Sequence, residues 1–131
     1  MTGLDSWYGY MKSHDPAQAR AALWDLLHPD AVFESPVVHA PQRGRDITFK
    51  YLSSAEQVLG GPGFTYVGEW RSADGAVLEF KTMIDGIEIN GVDIISFDGE
   101  GRITRFKVMV RPLKAINMLH RLMAEQLAAQ S

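Results

Sequence analysis

From Phe64 onward the chain alternates apolar and polar residues in four runs of strand length, "FTYVGEW", "AVLEFKTMI", "IEINGVDIISF" and "RITRFKVMV", separated by "SADG", "DG" and "DGEG". Period two is the repeat of a β-strand, whose successive side chains point to opposite faces, and links this short leave room only for hairpins. The reading is an antiparallel meander of four strands. Asp85-Gly86 suits a two-residue hairpin, because glycine tolerates the positive φ such a turn needs, and "DGEG" suits a longer one. A sheet with one apolar face requires a cover, so the other half of the chain must supply it.

That half reads as helices. Asp5 or Ser6 can cap a short helix running to about His14, and Asp15 can cap a second that opens on Pro16. In the second, Ala19, Ala22, Leu23, Leu26 and Leu27 form an apolar stripe, with Gln18, Arg20 and Asp25 facing away. "HPD" ends it, "AVFES" is a short strand stopped by Pro36, and "VVHAPQRGRD" is an extended excursion. Asp46 can then cap "ITFKYLSSAEQVL", with Phe49, Leu52 and Leu59 toward the core, until "GGPG" stops it. After the meander, "RPLKAINMLHRLMAEQLAAQ" repeats Leu113, Ile116, Leu119 or His120, Met123 and Leu127 at helical spacing. The expected fold class is α+β, in one domain over 1–131.

Composition narrows the function. A net charge of -3 lacks the positive excess that attracts phosphate backbones, so nucleic acid is not an expected partner. No apolar run approaches the roughly 20 residues that cross a bilayer, and "MTGLDSWYGYMK" has no secretion-signal pattern, so the expectation is a cytoplasmic protein without a membrane partner. With no cysteine there is no disulfide, thiolate nucleophile or cysteine-ligated zinc. The four histidines, His14, His28, His39 and His120, lack metal-ligand spacing, and neither a metal nor another cofactor is expected.

Two stretches, "LLHPDAVFESPVVHAPQRGRDITFKYL" and "GVDIISFDGEGRITRFKVMV", together with the order of elements, resemble the nuclear transport factor 2-like superfamily over nearly the whole chain. Its SnoaL-like and ketosteroid isomerase-like branch is the most similar. The resemblance implies a cone-shaped fold in which a curved antiparallel sheet wraps around N-terminal helices, here with an added C-terminal helix. It also implies a tapered apolar cavity and a homodimer formed through the outer face of the sheet. Ketosteroid isomerases use a carboxylate base and an acid kept protonated to donate to an oxyanion. In this chain "AVFESP" puts Ser35 at the base position, while Asp93 in "NGVDIISF" falls at the acid position. A third feature, a tyrosine on the first helix, falls to Tyr8 or Tyr10. Limonene epoxide hydrolases, also in this superfamily, use an Arg-x-Asp pair and a further aspartate, and the matching positions hold Glu79, Lys81 and Val108, so that triad is absent.

Asp93 is the residue that most needs an explanation, since a carboxyl amid apolar neighbours is either solvent-facing, protonated or held by donors. If it points inward, so do Ile89, Gly91, Ile95 and Phe97; on the last strand Phe106, Val108 and Val110 share the inner face. On the first strand Phe33, Ser35 and Val37 alternate inward, and His39 can follow them past Pro36. Asp93 is then a proton donor near neutral pH or a structural anchor of the sheet. His39, with an imidazole titrating at about 6.5, is a partner for Asp93 or a surface loop group. Tyr51 sends its hydroxyl into the cone or packs in the core, and Glu79 with Lys81 forms a polar pair at the dimer surface.

The expected site is therefore Asp93 as acid, assisted by His39 or Tyr51, in a cavity shaped by Phe33, Ser35, Tyr8, Ile95, Phe97, Phe106 and Val108. The expected ligand is a small hydrophobic molecule carrying a carbonyl, and the expected chemistry is cofactor-independent isomerisation or cyclisation. The alternative is a binding or dimerisation module without catalysis.

Overall fold

The computed structural model describes residues 2–129. Helix α1 (Gly3–Lys12) starts one turn earlier than Asp5 or Ser6 suggests. Thr2 is the cap: its hydroxyl accepts from the Asp5 N–H at 3.1 Å, and the Asp5 carboxylate accepts from the Thr2 N–H at 3.2 Å. That reciprocal pair satisfies two N–H groups that a helix end leaves open. Helix α2 (Pro16–Leu26) begins as expected, with the Asp15 carboxylate accepting from the N–H groups of Ala17 and Gln18. Only Leu23 and Leu26 of its stripe are buried within the helix, and Ala22 is exposed.

Strand β1 (Leu27–Glu34) follows without a loop, so "HPD" lies in the strand, not at a helix end. Its pairing is irregular between Leu27 and Val32, which accommodates Pro29. A two-residue strand β2 (Gln42–Arg43) interrupts the extended excursion. Helix α3 (Arg45–Leu59) enters through Gly44 at φ 112° and has no side-chain cap; Asp46 sits in its first turn, where a negative charge suits the helix dipole. The meander comprises β3 (Thr65–Ser72), β4 (Gly75–Ile84), β5 (Ile87–Phe97) and β6 (Ile103–Arg111), and helix α4 (Leu113–Ala129) follows. Asp85 and Gly86 both have positive φ, 50° and 76°, as a two-residue hairpin with right-handed strand twist requires.

The strands form one sheet in the order β2-β1-β6-β5-β4-β3. The meander is antiparallel throughout, but β1 runs parallel to β6, with Phe33 beside Phe106, so the sheet is mixed and not antiparallel as expected. No hairpin joins β1 to β6; α3 and four strands intervene, and such a long crossover permits parallel pairing.

The inner face carries Leu78 and Phe80 on β4, Ile89, Gly91, Asp93 and Ile95 on β5, and Phe106 and Val108 on β6, all buried. Gly91 has to be glycine here: a Cβ would come within 2.6 Å of both the Met109 carbonyl oxygen and the Phe80 ring. Helices α3 and α4 pack on each other, α3 on β1, and α4 on β5 and β6. Helix α4 buries Ala115, Met118, Leu119 and Met123, whereas Leu113, its first residue, is 71% exposed past the end of β6. The buried face is therefore rotated from the expected stripe. On the outer face of the sheet Glu34 pairs with Lys107 at 3.2 Å and Arg105 at 3.7 Å, and Trp70, Met83 and Met109 are exposed. None of the described helices is long and apolar enough to cross a membrane.

Candidate functional site

Between the inner face of the sheet and the helices lies a cavity of about 50 Å³. By the measure that gives one water-sized sphere roughly 10–15 Å³, this holds a few such spheres, so it is a small space. Its walls are apolar except for a few groups: Asp93 from β5, Tyr66 from β3, Ser35 after β1, Glu56 from α3 and the edge of Trp7 from α1.

Asp93 is 7% exposed. The Tyr66 hydroxyl donates to its Oδ2 at 2.6 Å, and the Trp7 indole N–H donates to the Tyr66 oxygen at 3.1 Å. The chain of donors fixes the carboxyl in place without leaving any buried polar side-chain atom unpaired among the described residues. Burial raises the Asp93 pKa to about 7, partly opposed by the Tyr66 hydrogen bond and reinforced by the Glu56 carboxylate. Tyr66 is pushed far up, first by burial and then by the neighbouring Asp93 charge, so its hydroxyl keeps its proton. Below about pH 7 the site thus offers the O–H of a protonated Asp93 into an apolar space, with Tyr66 spending its own O–H on Oδ2, and a buried acid so held can donate to an oxygen gaining negative charge.

The tyrosine does not come from the first helix. On α1, Trp7 faces the cavity, Tyr8 does not line it as expected but turns its hydroxyl outward to donate to Glu69, and Tyr10 is buried with its ring 5.2 Å from that of Trp7. Successive helical residues differ in direction by about 100°, so an inward Trp7 turns Tyr8 away. Strand β3 supplies the donor instead.

Of the residues expected in the site, Asp93, Phe33, Ser35, Phe106 and Val108 line the cavity. Ile95 is buried core, and Phe97 is partly buried against Gly3. Ser35 also accepts from the Val37 N–H at 3.1 Å, so its oxygen turns the chain at Pro36. His39 is not in the cavity. It is exposed beyond that bend and borders a separate surface hollow with Lys107 and Met109, because the bend carries the chain out over the sheet edge. Tyr51 does not line the cavity either; its ring packs at 5.3 Å from that of Phe33, on the far side of the wall.

Tyr66 and Glu56 were not anticipated. Glu56 lies four residues after Leu52 and three before Leu59, on the buried face of α3, and a carboxylate at that spacing is the same anomaly as Asp93. Tyr66 is hidden by a register shift in β3 between Tyr66 and Gly68, which places Tyr66 inside and Trp70 outside although both are even-numbered aromatics of one run.

The geometry defines a class: a mixed α+β cone with an internal pocket whose acid and tyrosine point at one apolar space. Among solved structures, a steroid delta-isomerase from Pseudomonas aeruginosa is similar at 35% identity, with 98% of this chain and 90% of that chain covered and a TM-score of 0.86. This chain belongs to the nuclear transport factor 2-like superfamily. The fold is shared with a nuclear transport factor 2-like protein of unknown function from Mesorhizobium loti, at 22% identity, 84% and 91% coverage and a TM-score of 0.67. It is shared too with a SnoaL-like family protein from Agrobacterium tumefaciens, at 16% identity, 84% and 95% coverage and a TM-score of 0.61. No family model and no curated protein matches the sequence.

Proposed function

We propose that this protein binds a small, mostly apolar carbonyl compound in the cavity and catalyses proton transfer beside the carbonyl, as an isomerase without a cofactor. The carrying observation is the Trp7–Tyr66–Asp93 chain, which presents a neutral acid and a phenol to an apolar space. A carbonyl oxygen accepts from the Asp93 O–H, which Tyr66 holds in place, and the enolate formed when a neighbouring C–H loses its proton accepts more strongly, so the transition state gains more than the ground state. Similarity to the Pseudomonas aeruginosa steroid delta-isomerase supports this reaction class. The volume supports a smaller ligand: about 50 Å³ suits a single ring, and a fused-ring ligand would require α4 to move outward.

The test is 2-cyclohexen-1-one binding, followed by thermal shift, and isomerisation of 3-cyclohexen-1-one, followed by the absorbance of the conjugated product. Binding and turnover that both fall with Asp93→Asn support the proposal; binding unaffected by Asp93→Asn overturns it. The Ser35 side chain, which cannot serve as a carboxylate base, favours a second reading, a pocket that only holds its ligand. Binding without turnover would select that reading.

We also propose that two copies pair through the outer sheet face, where the exposed Trp70, Met83 and Met109 form an apolar set beside charged groups of β6. Sedimentation at micromolar concentration tests this, and a persistent monomer overturns it.

A further inference from the structure

We propose that Glu56 is the proton acceptor of the cavity: it takes a proton from the carbon beside the ligand's carbonyl while Asp93, itself held by Tyr66, donates to the carbonyl oxygen from the sheet side. The inference rests on the proposed isomerase reading and assigns the group which that reading otherwise lacks, since the strand-end position holds Ser35.

Four observations carry it. Glu56 lines the same cavity as Asp93 and Tyr66 but comes from α3, across from the sheet, so a ligand between them meets donors on one side and a carboxylate on the other. A carboxylate retained for structure normally collects donors, yet among the described residues no side-chain or backbone group donates to the Glu56 carboxyl, whereas Asp93 is tied to Tyr66. The carboxyl lies against Gly60, where any Cβ would collide with its Oε1 and with the Glu56 carbonyl oxygen, so the end of α3 leaves space for it. Finally, among the described residues Glu56 alone borders both this cavity and a surface hollow of about 190 Å³ formed with Tyr10, Ser13, His14 and Arg20. A proton taken up inside therefore has a route to solvent through the same carboxyl.

The electrostatics agree with these positions. Burial raises the Glu56 pKa, which strengthens it as a base, and its charge helps to keep Asp93 protonated. The titratable or charged groups facing it are Asp93 on β5, Tyr66 on β3, Tyr10 on α1 and Arg20 on α2. Two carboxyls with one proton between them are the division of labour that acid–base catalysis needs.

The step balances without a co-reactant. The C–H bond adjacent to the carbonyl breaks, its proton goes to a Glu56 oxygen, and its electron pair forms the enolate C=C as charge moves to the oxygen held by the Asp93 O–H. Glu56 then returns the proton to the same carbon or, in a β,γ-unsaturated ketone, to the γ carbon, and the carbonyl re-forms.

The experiment follows deuterium incorporation beside the carbonyl of cyclohexanone in D2O by proton NMR, with binding measured separately by thermal shift. Glu56→Gln is expected to bind cyclohexanone within about twofold of wild type while exchange falls at least about 100-fold, the usual range for loss of a positioned base. Glu56→Asp, which keeps the charge and retracts it, should retain part of the rate and guards against a folding defect in the first variant. Wild-type exchange should rise with pH as Glu56 ionises and fall as Asp93 loses its proton near pH 7; Glu56→Gln should lose the rising limb and Asp93→Asn the falling one. Exchange unchanged in a folded, binding-competent Glu56→Gln variant overturns the proposal while leaving the isomerase reading standing. Absence of cyclohexanone binding by the wild type overturns both.

Discussion

On the sheet side of the cavity Asp93 is gripped by Tyr66, itself held by Trp7, and stands between Gly91 and Ile95 on a strand hydrogen-bonded on both edges. On the helix side Glu56 hangs from α3 with no donor among the described residues, beside Leu59 and the α4 residues Leu119 and Met123, the last an unbranched side chain of the kind that fits irregular space. One wall fixes direction and the other provides give. A site that must hold a charge at one point and admit a ligand at another needs both, and the two carboxyls differ in pairing because their walls differ in rigidity.

The contrast is open to attack in order of expected effect. Asp93 is protonated in the fold up to about pH 7, against an ordinary aspartate value of 3.8. Its stabilising influence is therefore complete below pH 3.8 and is lost as pH rises toward 7, because the unfolded chain releases a proton that the fold retains. At roughly 1.4 kcal/mol per pH unit the loss is about 4 kcal/mol, and Asp93→Asn should remove it, giving the smaller change in urea-unfolding free energy between pH 4 and pH 8. A variant with the same slope as the wild type would place Asp93 in water and dissolve the distinction between the walls.

Gly91→Ala should cost about 3 kcal/mol by chemical denaturation, since one of the two clashes is with a carbonyl oxygen that the sheet cannot shift. Met123→Ala on the facing helix should cost less, about 2 kcal/mol, because its side chain already borders empty space, and it should admit a bulkier ketone. If Met123→Ala proves the more destabilising, the helix side is the rigid one. Trp7→Phe keeps an aromatic ring, smaller than the indole, but removes the N–H that Tyr66 accepts, a loss of at least about 1 kcal/mol in thermal melts, and should leave ligand binding weakened but present.

The meander was legible because period two and the "DG" turn are local signals, and alternation gave the residues that share a face with Asp93 once its inward direction was assumed. The partner of Asp93 was not. Tyr66 meets it from two strands away, across β4, and one slipped residue in β3 decides which aromatics face inward. The parallel seating of β1 was illegible for the same reason: nothing in "AVFES" records that its neighbour is "RITRFKVMV". His39 failed on direction, since alternation cannot be carried past a proline bend. Glu56 was readable in principle from its spacing to Leu52 and Leu59, the same local rule that exposed Asp93.

The side-by-side seating of Phe33 and Phe106 also orders events in time. While the polypeptide emerges from the ribosome, β1 must wait, unzipped, until almost the whole meander has been synthesised, so the hollow is sealed late and in a single act. Truncations within β6 would thus abolish the chamber outright, not merely uncover it, and half-made chains would carry no acid hidden from water.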